Sequence, residues 1–100
     1  MNAIEQPWKF AHVSESGLVK AGGCVIHRIS INRADSAAEY VTIYDGLDAT
    51  GDVVAIIGIG RDAPTYVTPV SLSFDCRLLV GCYVEFDQAP SIADLTITYI

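Results

Sequence analysis

The sequence predicts an all-β fold: a single antiparallel β-sandwich or jelly roll of about seven to nine short strands. Three observations lead there. Alternating apolar and polar residues, rich in Val, Ile, Thr, Tyr and Phe, recur in short runs about every ten residues. Gly, Asp, Pro and Ser punctuate the runs with turn chemistry. No segment sustains an apolar stripe of helical period, and many short strands with regular turns fold as sandwiches or barrels.

The elements follow in order. Trp8 to Val13 reads as a first strand, closed by the turn Ser14-Glu-Ser-Gly17. Leu18 to Ala21 is a short strand broken by Gly22-Gly23. Cys24 to Asn32 is the first strong strand, with Val25, His27, Ile29 and Ile31 on the expected core face. Cys24 and Ile26 mark one end of it as covered on both sides. Residues 33–39 form a polar loop. Glu39 to Asp45 alternates Val41 and Ile43 against Tyr40, Thr42 and Tyr44. At Asp45-Gly46 the carboxylate is expected to bond its own backbone and the glycine to supply positive φ. Thr50-Gly51 makes a second bend.

Asp52 to Ile57 is an unbroken apolar run, which reads as a strand buried on both faces. Residues 58–64 form a loop. Thr65 to Phe74 alternates again; Pro69 cannot donate a ladder hydrogen bond, so this strand belongs at a sheet edge or bulges. Arg77 to Val80 reads as a separate short strand ending at Gly81. Cys82 to Asp87 turns Cys82, Val84 and Phe86 inward. After the turn Gln88-Ala-Pro-Ser91, Ala93 to Ile100 closes the chain with Leu95, Ile97 and Tyr99 on one face. Residues 1–15 are expected to be an N-terminal arm or first strand, and residues 16–100 the sandwich.

Composition narrows the function. A chain of 100 residues has much surface for its volume, yet this one is 51% hydrophobic and only 18% charged. An average domain is about 25% charged. The surplus implies apolar surface that is exposed or covered by other subunits. The formal net charge of −6 argues against binding nucleic acid through its phosphates. No apolar run reaches the roughly 20 residues of a membrane helix; the longest, Val53 to Gly60, is strand-sized. Residues 1–9 lack the basic and apolar regions of a secretory signal. The three cysteines, Cys24, Cys76 and Cys82, are odd in number and sparse, which fits free thiols in a reducing compartment. A Cys76–Cys82 bridge across one hairpin is the alternative.

Candidate chemistry is thin. Gly58-Ile-Gly-Arg-Asp-Ala63 matches a permissive dinucleotide pattern, but Pro64 and a strand follow where a helix N-terminus is required. Asp45, Asp48 and Asp52 share one loop; their spacing is not that of an EF-hand, and a solvated turn outweighs a weak divalent site. His27 has Cys24 and His12 as conceivable partners in a metal site or nucleophile–base couple, but no third orienting group is indicated. Asp75 and Glu85 have the types of a carboxylate pair without the room for a sugar cleft. No Gly-x-Ser-x-Gly, His-Glu-x-x-His or P-loop occurs. No catalytic residue, cofactor site or metal site is therefore expected. Trp8 and Phe10 alternate in the first segment and are the interface candidates: they cap an open core end or pack onto a neighbouring subunit.

Three stretches carry a resemblance. They are Ser16-Gly-Leu-Val-Lys-Ala-Gly-Gly23 leading into Ile26-His-Arg-Ile-Ser-Ile-Asn32, then Val41-Thr-Ile-Tyr-Asp-Gly46, and last Ala93-Asp-Leu-Thr-Ile-Thr-Tyr99. In that order they resemble small β-sandwich virion proteins of tailed bacteriophages and prophages, over roughly residues 16–100. This chain departs from the pattern at Cys24-Val25, where glycine and leucine are usual. The resemblance implies a non-enzymatic virion structural protein made in the host bacterial cytoplasm. The role it favours is a capsid decoration, or cement, protein on the shell exterior. Its implied partners are the major capsid protein and further copies of itself, with a trimer favoured by the threefold positions of capsid lattices. The alternative is a tail, fibre or head-fibre module that binds carbohydrate or a receptor, through Asp45–Asp52 with Tyr40, Tyr44 or Tyr66.

Overall fold

The computed structural model describes residues 8–35, 38–60 and 69–100. Its eight strands are β1 (Lys9–Val13), β2 (Gly17–Ala21), β3 (Cys24–Arg33), β4 (Tyr40–Asp45), β5 (Asp52–Gly58), β6 (Val70–Leu78), β7 (Gly81–Phe86) and β8 (Asp94–Tyr99). They form two antiparallel four-stranded sheets, ordered β1-β8-β3-β6 and β2-β7-β4-β5. Consecutive strands alternate between the sheets except at β4–β5, and the chain wraps so that β1 lies beside β8 and β2 beside β7. That connectivity is a jelly roll.

The inner faces close on a core of β-branched residues. Ile26, Ile29, Ile31 and Ile97 come from the first sheet, and Val41, Ile43 and Val84 from the second; all are fully buried. Inward Cys82, Val84 and Phe86, and inward Leu95 and Ile97, match the alternation of β7 and β8. The buried isoleucines fit this setting because branched side chains pack well on pleated surfaces.

Four expectations need correction. In β3 the core positions are Cys24 and Ile26, then Ile29 and Ile31. Register shifts between Ile26 and Arg28, against both β6 and β8, break the alternation at His27. His27 therefore leaves the core face. The bulge continues into β6, where Asp75 has φ of 47°. Second, Val70–Leu78 is one strand, so Arg77 and Leu78 belong to it and Leu79-Val80 is the turn. It is an edge strand that starts after Pro69, as a proline demands; Thr65, Tyr66 and Val67 lie outside the described residues.

Third, β5 is not buried on both faces. It is the edge of the second sheet, and Val53 and Ile56 are 56% and 64% exposed. Fourth, Gly46 does not have positive φ; among the described glycines that belongs to Gly22, at 89°. Gly46 is required by proximity: a Cβ there would meet the Gly51 Cα at 2.8 Å.

The connections sort by end. Tight turns at 22–23, 46–51 and 79–80 gather at one end, joined by hydrogen bonds from the Gly22 amide to the Val80 carbonyl and from the Gly46 amide to the Gly81 carbonyl. At the other end, Glu39 before β4 meets the β7–β8 loop, where its side chain accepts the Ser91 hydroxyl.

Candidate functional surfaces

The residues singled out in the sequence do not converge on one catalytic or metal site, although Trp8, His27 and Asp75 meet. Asp45 is the clearest case. Its carboxylate accepts the amides of Leu79 (3.0 Å), Val80 (2.8 Å) and Gly81 (3.3 Å) across the tight-turn end. Those amides of Leu79 and Val80 hold its carboxyl below the ordinary aspartate range. Asp45 therefore pins the β6–β7 turn rather than bonding its own loop. Asp48 is likewise used locally, accepting the Thr50 hydroxyl and amide. Among the described residues, no group of three or more His, Cys, Asp or Glu side chains is arranged to hold a metal ion.

The histidines part company. The His27 ring stacks on Trp8, centroids 4.1 Å apart and 10° from parallel, and its Nδ1 lies 2.9 Å from an Asp75 carboxylate oxygen. His12 pairs instead with Asp94. Neither meets Cys24. Asp75 and Glu85 lie on different sheets, and Glu85 accepts the Tyr44 hydroxyl at 3.1 Å. All three cysteines are free thiols. Burial pushes the Cys82 thiol up to about 12, far from a reactive thiolate. The Gly58 to Ala63 pattern runs beyond the described residues after Gly60, which follows an edge strand.

Trp8 and Phe10 also separate. Both belong to the outer face of the first sheet, but the Trp8 ring is engaged with His27 while Phe10 is 74% exposed. Around Phe10 that face is polar and ordered. Asp94 takes the Asn32 amide at 2.9 Å; Asn32 also reaches the Thr96 hydroxyl at 2.9 Å and accepts the Ser30 hydroxyl at 3.0 Å.

The outer face of the second sheet is different. Register places Leu18 beside Tyr83, Tyr83 beside Tyr44, and Tyr44 beside Val53. These four form one row across all four strands, with the two tyrosine rings 6.3 Å apart. Leu18 and Val53 are about half exposed, and Ile56 and Tyr40 extend the apolar area along β5 and β4. At the tight-turn end Leu47, Leu79 and Val80 are exposed beside it. Sequence reading missed this row because its members come from four strands whose order it did not have.

Glu39 was also missed. It is only 2% exposed, its Oε1 accepts the Ser91 hydroxyl at 2.7 Å, and its Oε2 lacks a side-chain hydrogen-bond partner among the described residues. Burial raises its carboxyl, the Ser91 bond opposes that, and the Asp35 charge adds to it. The site is a tether: Ser91 also accepts the Ala93 amide, so Glu39 fixes the β7–β8 loop against β4.

Depressions on the described surface are open. One of about 330 Å³ lies between residues 14–16 and 88–91, and one of about 400 Å³ over the β4–β5 turn. Neither unites a nucleophile with a base and an orienting group. No family model, curated protein or solved structure matches the chain.

Proposed function

We propose that this protein is a non-enzymatic virion structural protein of a tailed phage, most specifically a decoration protein that lies on the capsid and reinforces the shell. The observation that carries this reading is the apolar row Leu18–Tyr83–Tyr44–Val53 on the outer face of the second sheet. Contiguous exposed apolar area on a small domain marks an interaction surface, and aromatic residues are enriched where partners bind. A rigid sheet holds the row flat, so little ordering opposes docking. Repeated on a lattice, modest contacts add through avidity. The motif resemblance points the same way. The jelly roll recurs in viral capsid domains, but that is analogy of fold and carries less.

The test is co-sedimentation of the purified protein with emptied, expanded capsids. Wild type should pellet with the shells to a saturating stoichiometry. A Leu18→Lys, Val53→Lys double variant, folded by circular dichroism, should lose at least tenfold in affinity. Full binding by that variant would move the contact off this face.

A second reading has its own observation. Phe10 stands exposed beside the ordered His12–Asp94–Asn32–Thr96 network, an arrangement suited to stacking and hydrogen-bonding a sugar ring. A fibre module binding carbohydrate would use that face rather than Asp45 and Tyr44, whose polar groups are already engaged. Glycan binding that Phe10→Ala abolishes would favour it.

A further inference from the structure

We infer that the outer face of the first sheet and the groove beside it form a binding site for a neutral oligosaccharide. The inference rests on the second reading above and deepens it. It leaves the decoration role intact, because the apolar row lies on the opposite sheet.

Strand order brings three parts together. Register sets Phe10 against Thr98 and Thr98 against Arg28; one rung along, His12 stands against Thr96 and Thr96 against Ser30. Phe10 is the platform. It is 74% exposed, an aromatic residue in a row whose other members are polar. The apolar face of a pyranose packs on such a ring, while its hydroxyls reach the polar groups around it.

The second part is a polar clamp. One Asp94 oxygen pairs with His12, and the other accepts the Asn32 amide at 2.9 Å. A carboxylate offers about four acceptor sites, so Asp94 is fixed in place and still has room for incoming hydroxyls. The Asn32 amide and the His12 ring hold its carboxyl below the ordinary aspartate range. It is therefore an acceptor at neutral pH, already oriented before a ligand arrives.

The third part is concavity. The depression of about 330 Å³ between residues 14–16 and 88–91 shares Ser14, Glu15 and Ser16 with another of about 270 Å³ along residues 11–19, which His12 lines. The hollow thus continues from the His12–Asp94 clamp to Ser91. Each depression has about the smallest volume used for small-ligand sites. Together they extend the site beyond the one ring that Phe10 can carry, which asks for an oligosaccharide.

Charge sets the class. Glu15 lines the groove, Asp94 holds the clamp, and the chain carries a net charge of −6. Near the clamp, Arg33 gives its Nε to the Ile92 carbonyl at 2.7 Å. Arg28 stands two strands from Phe10, beyond Thr98. A carboxylated or sulfated sugar would meet acceptors and like charge. A neutral sugar donates to those acceptors.

Nuclear magnetic resonance titration of the full chain tests this, with maltotriose, lactose and diacetylchitobiose as neutral probes and digalacturonate as the acidic one. Capsid co-sedimentation is run on the same samples. At least one neutral probe should give saturable shifts at Phe10, His12 and Ser91, and bind at least tenfold more tightly than digalacturonate. Phe10→Ala and, separately, Ser14→Trp, which fills the groove, should each weaken that binding at least tenfold with wild-type circular dichroism and melting. The Leu18→Lys, Val53→Lys double variant should bind the sugar as wild type does. No saturable shift with any neutral probe at millimolar concentration, tighter binding of digalacturonate, or binding untouched by either variant would overturn the inference. A chain that binds the sugar but not shells would refute the decoration role and leave this site standing; one that binds shells but no neutral sugar would do the reverse.

Discussion

The carboxylate of Asp45 accepts the backbone amide of Val80 at 2.8 Å, across 35 residues of chain. That bond and its neighbours at Leu79 and Gly81 tie the end of β4 to the turn between β6 and β7, and so tie the two sheets together at the tight-turn end. Asp45-Gly46 is thus a clamp: Gly46 and Gly51 let the backbone close, and Asp45 holds what it closes on.

The clamp has a pH signature. The Asp45 carboxyl is held below its usual 3.8 in the folded state. Its contribution is therefore present above that value and lost as pH falls through the lower, folded one. Thermal melting of wild type should weaken across that acid range, and Asp45→Asn should melt lower at neutral pH with a shallower acid dependence. An unchanged neutral melting temperature would remove Asp45 from the fold's support.

Glu39 carries the opposite sign. Burial raises its carboxyl above the usual 4.5 in the folded state. Its favourable share is complete below that value and is lost as pH rises through the folded one, because the unfolded chain ionises first. Glu39→Gln keeps an acceptor for Ser91 and abolishes the buried charge. It should raise the melting temperature at pH 8 and lose that advantage at pH 4. A variant destabilised at pH 8 but not at pH 4 would show that the ionised carboxylate supports the loop.

The correction to β5 is measurable by truncation. Ile43 is fully buried, whereas Ile56 is 64% exposed. Ile43→Ala should cost about 2–5 kcal/mol in chemical unfolding. Ile56→Ala should stay within about 0.5 kcal/mol at dilutions where any dimer has dissociated. A large loss at Ile56 under those conditions would return β5 to the interior.

Trp8 and Phe10 are predicted to behave differently from each other. Trp8→Ala removes the stack on His27 and should cost about 1–2 kcal/mol of folding stability. Phe10→Ala should leave folding within about 0.5 kcal/mol. Equal folding losses would mean that Phe10, too, is held within the chain.

Much of the fold was legible because strand period and burial agree. Val41 with Ile43, Val84 with Phe86 and Leu95 with Ile97 all face the core as alternation requires. Alternation failed at His27, where the bulges of β3 and β6 each insert a residue that period two cannot anticipate. It failed again at Val53 to Ile57. An apolar run looks the same when two sheets' worth of neighbours cover it as when it lies at an edge; strand order decides, and strand order is not local. Asp45 was visible as a turn residue, but its partners lie more than thirty residues away. Glu39 looked like one more loop acid because its burial comes from the distant β7–β8 loop. The surplus of hydrophobicity has a place on the outer face of the second sheet, where Leu18, Val53 and Ile56 are about half exposed or more, rather than at Trp8.

In the proposed decoration role, the outer face of the second sheet works against a capsid. Electron microscopy of virions assembled with and without the gene product tests it most directly. Density for the sandwich is expected on the outer shell surface, with the face bearing Leu18, Tyr44, Tyr83 and Val53 turned toward the capsid, and is expected to be lost from virions lacking the product. Identical shells in the two preparations, or density confined to the tail or fibres, would contradict it.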